Sequence, residues 1–139
     1  LPNGAHLFFS PIAKVNGTVA TAQYRMARRL IEKYGFDFIG DFVFGMREIH
    51  HIVRIDRKDA DSRQRAHDMI RELAREAAEN GWGEYRTHLA LMDQIAGTYN
   101  FNEGALMKLN ETITNALDSK GILAPGKNGI WLANYDKQA

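Results

Sequence analysis

The sequence predicts an α+β fold, an antiparallel sheet flanked by helices with a helical segment toward the carboxy terminus. Three observations carry this. Side chains alternate in character over residues 36–44 and again over 49–55, the two-residue period of a strand. Apolar residues recur every three or four positions over 19–34, 66–77, 89–96 and 106–117, the period of a helix. The resulting order is β-α-β-β-α, followed by two helices and a loop.

Each element has its own signals. The run from Leu7 to Ile12, between Gly4 and Pro11, reads as a short strand. Val15-Asn16-Gly17 is a turn, and Thr18 is the expected N-cap of a helix through Val19, Gln23, Met26, Ala27, Leu30, Ile31 and Tyr34 that Gly35 stops. Its other face carries Arg25, Arg28, Arg29 and Lys33, a solvated basic face. In the next strand Phe36, Phe38, Phe42 and Phe44 share one side and Asp37, Ile39, Asp41 and Val43 the other, with Gly40 as an expected bulge. Gly45-Met46-Arg47-Glu48 connects it to the alternating Ile49, His51, Val53 and Ile55. A turn centred on Arg47-Glu48 sets Asp41 opposite Arg54. A second helix starts near Asp59 to Asp61 and stops at Asn80-Gly81; a shorter one runs through Leu89, Met92, Ile95 and Ala96. The last begins at about Glu103 and stops at Lys120-Gly121.

The 139 residues suit one compact domain with a real core. The 18 basic and 17 acidic residues nearly cancel, which speaks against a general binder of nucleic acid or membrane surfaces. Without cysteine there is neither a disulfide framework nor a thiolate metal site. No apolar run approaches the ~20 residues that span a bilayer, so the chain reads as intracellular, cytoplasmic or peroxisomal. It opens on Leu1-Pro2-Asn3-Gly4 with a strand almost at once, the expected look of a piece of a longer protein. Of the five histidines, only His50 and His51 are adjacent, and neighbours on a strand point to opposite faces, so no metal site is expected. Read from spacing alone, His6 is a histidine at a strand start making ordinary hydrogen bonds, and Tyr85-Arg86 an exposed loop pair.

Longer segments say more. Leu1-Pro2-Asn3-Gly4-Ala5-His6-Leu7-Phe8-Phe9-Ser10-Pro11, Gly45-Met46-Arg47-Glu48-Ile49-His50-His51 and Gly81-Trp82-Gly83-Glu84-Tyr85-Arg86-Thr87-His88 resemble the vanillyl-alcohol oxidase and eugenol oxidase family of 4-phenol-oxidising flavoproteins. So does Gly121-Ile122-Leu123-Ala124-Pro125-Gly126-Lys127-Asn128-Gly129-Ile130-Trp131, near that family's carboxy terminus; the residues after Trp131 do not follow the pattern. The resemblance covers nearly the whole chain, in order and at similar spacing.

It implies that residues 1–84 belong to a cap or substrate domain and 85–139 to helices and a loop returning to the FAD-binding domain, which precedes this segment. It implies FAD, bound covalently through His6, and a para-substituted phenol as substrate with molecular oxygen as acceptor. The catalytic aspartate and a further tyrosine of the family's phenolate clamp precede the segment, so the piece alone is expected to be inactive. The complete protein would be a homo-oligomer. Tyr85 and Arg86 match the pair that holds the phenolate oxygen, with Arg86 also near the flavin. Hydride would then leave the para α-carbon for flavin N5, giving a quinone methide. Phe8, Phe38, His50 and Ile52 match residues around the substrate cavity, and Lys127 a position near the flavin.

Two cavity positions depart from the family: Asp41 stands where threonine is usual and Arg54 where cysteine is. Facing each other, they would form a compensating ion pair. A related methylhydroxylase tethers its flavin through tyrosine, so histidine favours the oxidase branch. The rival readings are a dehydrogenase that passes electrons to a cytochrome, and a non-catalytic module using the strand from Phe36 to Phe44 to bind RNA; Asp37 and Asp41 speak against the latter.

Overall fold

A computed structural model of the chain describes residues 5–57 and 59–135; the Leu1-Pro2-Asn3-Gly4 part of the first motif lies outside them. The chain divides into two compact units, Leu1–His88 and Leu89–Ala139.

The first unit is built around the ten-residue strand β4 (Glu48–Arg57). β3 (Ile39–Phe44) pairs antiparallel along one edge, from Ile39↔Arg54 to Phe44↔Ile49. β1 (Ala5–Phe9) and β2 (Pro11–Lys14) take the other edge, also antiparallel. Phe9↔Val53 and Ile12↔His50 keep a single register, so the two are one strand interrupted at Ser10. The two-residue strand β5 (Gly83–Glu84) adds to β2 through Pro11↔Glu84 and Ile12↔Gly83.

Two helices cover one face of this sheet. Asn16 caps α1 (Gly17–Lys33), its Oδ1 accepting from the Thr18 and Val19 amides, so the helix starts earlier than Thr18 predicts. Asp59 caps α2 (Ala60–Glu79) in a reciprocal box with Ser62. Gly35 and Gly81 follow the helix ends with φ of +74° and +75°, a conformation other residues adopt only at a cost. The covered face carries Leu7, Phe9, Ile49, Val53 and Ile55, all buried together with Leu30 and Ile31 of α1 and Met69 and Leu73 of α2. At ~1.5–3 kcal/mol for each fully buried large apolar side chain, this layer dominates the stability of the unit. The predicted basic face of α1 is occupied by ion pairs: Arg28 with Glu32, Arg29 with Glu76, and Lys33 with Glu72 at 2.8 Å. Being exposed, they add little.

The sheet corrects two expectations. The Gly45 amide donates to the Glu48 carbonyl, so the hairpin turns on Met46-Arg47, one residue earlier than predicted. The register runs unbroken through Gly40↔Val53, so there is no bulge. Gly40 is small because a Cβ there would lie 3.0 Å from His51 Nε2 and 3.1 Å from Phe38 Cζ.

The second unit holds a 3-10 turn (Leu89–Leu91), α3 (Met92–Ala96) and α4 (Phe101–Leu117), whose residues Asn102, Glu103 and Gly104 have positive φ. The Asp118 carboxylate accepts from the Ile122 and Leu123 amides at 3.1 and 2.7 Å, fixing the turn after α4. Among the described residues, no helix is long and apolar enough to cross a membrane.

Candidate active site on the open face of the sheet

The pleat sends every second side chain of β1 and β4 away from the helices. His6 and Phe8 of β1, Asp41 of β3, and His50, Ile52 and Arg54 of β4 therefore share the uncovered face. Ile52 lies opposite Asp41, Phe8 opposite Arg54, and Val43 opposite His50. His6, Phe8, Asp41 and Val43 are exposed; His50, Ile52 and Arg54 are half-buried. Six of the residues expected from the sequence are thus brought to one surface by strand alternation alone.

The segment after β5 adds the seventh and eighth. The Tyr85 amide donates to the Ser10 carbonyl at 2.8 Å, continuing the pairing one residue beyond β5. Its ring meets the His50 ring edge-on, with centroids 4.4 Å apart and planes at 85°. The Arg86 guanidinium carbon sits 5.2 Å from the Tyr85 ring centroid, in cation–π range. His50, Tyr85 and Arg86 form a contiguous polar and aromatic cluster, with the Glu48 carboxylate 3.9 Å from His50 Nε2. Both Tyr85 and Arg86 are exposed. Ser10, where Tyr85 attaches, is four residues from His6, or ~13 Å along an extended strand.

Sequence reasoning missed one residue here. Glu84 is buried, 8% exposed, and its Oε1 accepts from the Ser10 amide at 2.9 Å. Burial pushes its carboxyl up from the ordinary 4.5 to about 8, against the opposing pull of the Ser10 amide. An acidic residue in a two-residue strand has no periodicity to betray it. The only sequence signal is its place between Gly-Trp-Gly and Tyr-Arg.

Not every expected residue joins the face. Phe38 turns to the helix side, where its ring meets Tyr24 of α1 edge-on at 5.1 Å and lies 6.0 Å from buried His51. Phe42 stacks on His51 at 4.3 Å on that same side, as the alternation of the strand predicts. Burial lowers the His51 imidazole from 6.5 to about 4. Asp41 and Arg54 do share the open face but do not face each other: Asp41 lies opposite Ile52 and Arg54 opposite Ile39. The two-residue shift follows from the earlier turn and leaves the charges diagonal, at ~7–8 Å between backbones. The expected facing pair is not formed. Lys127 lies in the second unit, exposed in a short 3-10 turn (Lys127–Gly129) whose amide donates to the Ala124 carbonyl. Trp131 anchors that loop by donating from Nε1 to Asp93 Oδ1 at 2.7 Å. Gly126, with φ of +75°, packs where any Cβ would strike the Trp131 ring. Among the described residues, no group of three or more histidine or carboxylate side chains is placed to hold a metal ion.

The chain is similar to several known proteins. The family model described as FAD linked oxidases, C-terminal domain, matches residues 4–128. The 4-cresol dehydrogenase [hydroxylating] flavoprotein subunit of Pseudomonas putida is 32% identical over 133 residues, 94% of this chain and 25% of that protein. Among solved structures, 4-ethylphenol oxidase from Gulosibacter chungangensis, in an isoeugenol complex, superposes with a TM-score of 0.91 at 42% identity, over 96% of this chain and 26% of that one. p-Cresol methylhydroxylase with substrate bound gives 0.87 at 30% identity, over 95% and 25%. The chain spans about a quarter of the length of these relatives. It belongs to the FAD linked oxidases, as a carboxy-terminal domain of that family.

Proposed function

We propose that this chain is the carboxy-terminal part of an FAD-dependent enzyme that oxidises para-substituted phenols, with His6 as the covalent anchor of the flavin. The observation that carries the reading is the convergence of His6, Phe8, His50, Ile52, Tyr85 and Arg86 on one uncovered sheet face. The side chains fit the two groups such a reaction needs. An exposed imidazole at one end of the face is open to attack on an electrophilic methyl carbon. At the other, a guanidinium and a phenol hydroxyl suit an anionic aromatic oxygen.

A free phenol has a pKa of ~10, so holding it as phenolate at neutral pH requires a cation and a directed hydroxyl donor. Arg86 supplies the cation, and Tyr85, steadied by His50 and Arg86, supplies the hydroxyl. Negative charge on that oxygen pushes electron density through the ring toward the para position, which weakens the α C–H bond toward loss of hydride. The flavin, when bound, supplies the hydride acceptor. Phe8 and Ile52 offer apolar wall for the ring, while Asp41 and Arg54 make the face more polar than an all-apolar cavity. Lys127 is assigned to the flavin surroundings, and residues 85–139 to a return toward the FAD-binding portion. The complete protein is proposed to be a homo-oligomer.

Molecular oxygen is the proposed electron acceptor, because a histidine at position 6 resembles the oxidase branch. A cytochrome acceptor is the second reading, favoured by the 32% identity to a dehydrogenase. The test is the anaerobic visible spectrum of the full-length protein during titration with a 4-alkylphenol. Bleaching of flavin absorbance, restored by air with oxygen consumption, supports the oxidase. Recovery only with a cytochrome supports the dehydrogenase, and a chain without flavin absorbance overturns both.

A further inference from the structure

We propose that Glu84 is a positioning residue, whose buried carboxyl fixes the Tyr85-Arg86 segment against the strand that carries His6 and Phe8. Ser10 is the joint. It interrupts the strand between β1 and β2, and both of its backbone groups are tied to the segment 74 residues further on. Its amide donates to Glu84 Oε1 at 2.9 Å, and its carbonyl accepts from the Tyr85 amide at 2.8 Å. Pro11 follows directly and has no amide to offer β5, so backbone pairing is thin there and a side chain takes over. Ser10 and Glu84 are 7% and 8% exposed, so the bond is shielded from competing water. Burial favours the neutral carboxyl, which still accepts through Oε1.

Consequently one side chain joins the segment that carries the proposed flavin anchor to the segment that carries the proposed phenolate clamp. Glu84 itself is on the covered side of β5 and acts through Tyr85 and Arg86, whose side chains emerge just beyond it. A shift of the β5 segment along β2 would carry the Tyr85 ring off His50, where it now rests at 4.4 Å.

This inference rests on the reading of Tyr85 and Arg86 as the clamp, and the experiment separates the two. In the full-length enzyme, Kd for a non-reactive phenol is read from the perturbation of the flavin spectrum. Tyr85→Phe tests the clamp. Glu84→Met removes the accepting oxygen at similar volume; Glu84→Asp keeps the carboxyl but shortens its reach, and serves if the Met variant does not fold. Glu84→Gln keeps both oxygen and reach. The expected result is an ~10-fold weaker Kd for Glu84→Met or Glu84→Asp, rescue to within ~2-fold by Glu84→Gln, and faster hydrogen exchange at the Ser10 amide. Combined with Tyr85→Phe, the Glu84 change should add less than its separate effect. Unchanged phenol binding in Glu84→Asp, or full additivity with Tyr85→Phe, would overturn the positioning role while leaving the clamp intact. Tyr85→Phe without effect would overturn the clamp, and the positioning role with it.

Discussion

The two faces of the β4-centred sheet are made by the same strands and obey different rules. On the helix side, Leu7, Phe9, Ile49, Val53 and Ile55 are sealed beneath α1 and α2. One residue along each strand, His6, Phe8, His50, Ile52 and Arg54 stand on a face that no described element of the first unit covers. Burial follows the division: the covered face is closed, with His51 inside it, whereas the open face presents His6, Asp41, His50 and Arg54 at least partly to solvent. The covered face holds the sheet together, and the open face is available for chemistry. A one-residue slip of β1 on β4 would exchange the two sets, so the buried face also fixes which side chains the open face presents.

The largest expected effect breaks this comparison most directly. Phe9→Ala empties a site that is 1% exposed and should cost ~3–5 kcal/mol in urea unfolding, whereas Phe8→Ala, at 52% exposed, should cost under ~1 kcal/mol. In the full-length enzyme Phe8→Ala should instead impair phenol turnover. Equal destabilisation by the two changes would contradict the division.

Glu84 comes next. Its folded carboxyl titrates at about 8 against an ordinary 4.5, so the fold binds that proton more tightly than the unfolded chain does. The associated stability is complete below about pH 4.5 and is lost as pH rises through about 8, a few kcal/mol in total. Glu84→Gln should flatten the fall in melting temperature between about pH 4.5 and 8. An unchanged profile would show that the fold does not raise the Glu84 carboxyl.

His51 acts in the opposite sense and more weakly. Its imidazole is lowered to about 4 by burial, so its contribution is complete above 6.5 and is lost as pH falls toward 4. Neither ring nitrogen has a hydrogen-bond partner among the described residues, and the ring stacks on Phe42. His51→Leu should therefore reduce acid sensitivity; a steeper acid limb would contradict this.

The smallest effect concerns Asp41 and Arg54. As diagonal neighbours they should couple by less than ~0.5 kcal/mol, so that Asp41→Thr and Arg54→Cys add in a double-mutant cycle of unfolding free energies. A coupling above ~1 kcal/mol would restore the facing pair that the hairpin register denies.

Much of this was legible in the sequence, and the gaps have physical causes. Gly35, Gly81 and the Asp59–Ser62 box mark helix ends by local chemistry, which a short window of residues reveals. Strand faces were readable from alternation, whereas the open-face residues themselves were named through the family resemblance. Register was not, because one residue at a turn moves every cross-strand pair: Met46-Arg47 rather than Arg47-Glu48 separated Asp41 from Arg54. Phe38 precedes β3, so the alternation put it beside Phe42 and away from the open-face set, although family resemblance grouped it with that set. Glu84 escaped because its role depends on Ser10, 74 residues away.

The proposed chemistry depends on His6 before all else. The decisive measurement is acid precipitation of the full-length enzyme and its His6→Ala variant, followed by the absorbance of pellet and supernatant. Yellow protein is expected in the pellet of the parent, and free flavin in the supernatant of His6→Ala. Flavin that stays attached to the His6→Ala pellet would move the link elsewhere and contradict the account.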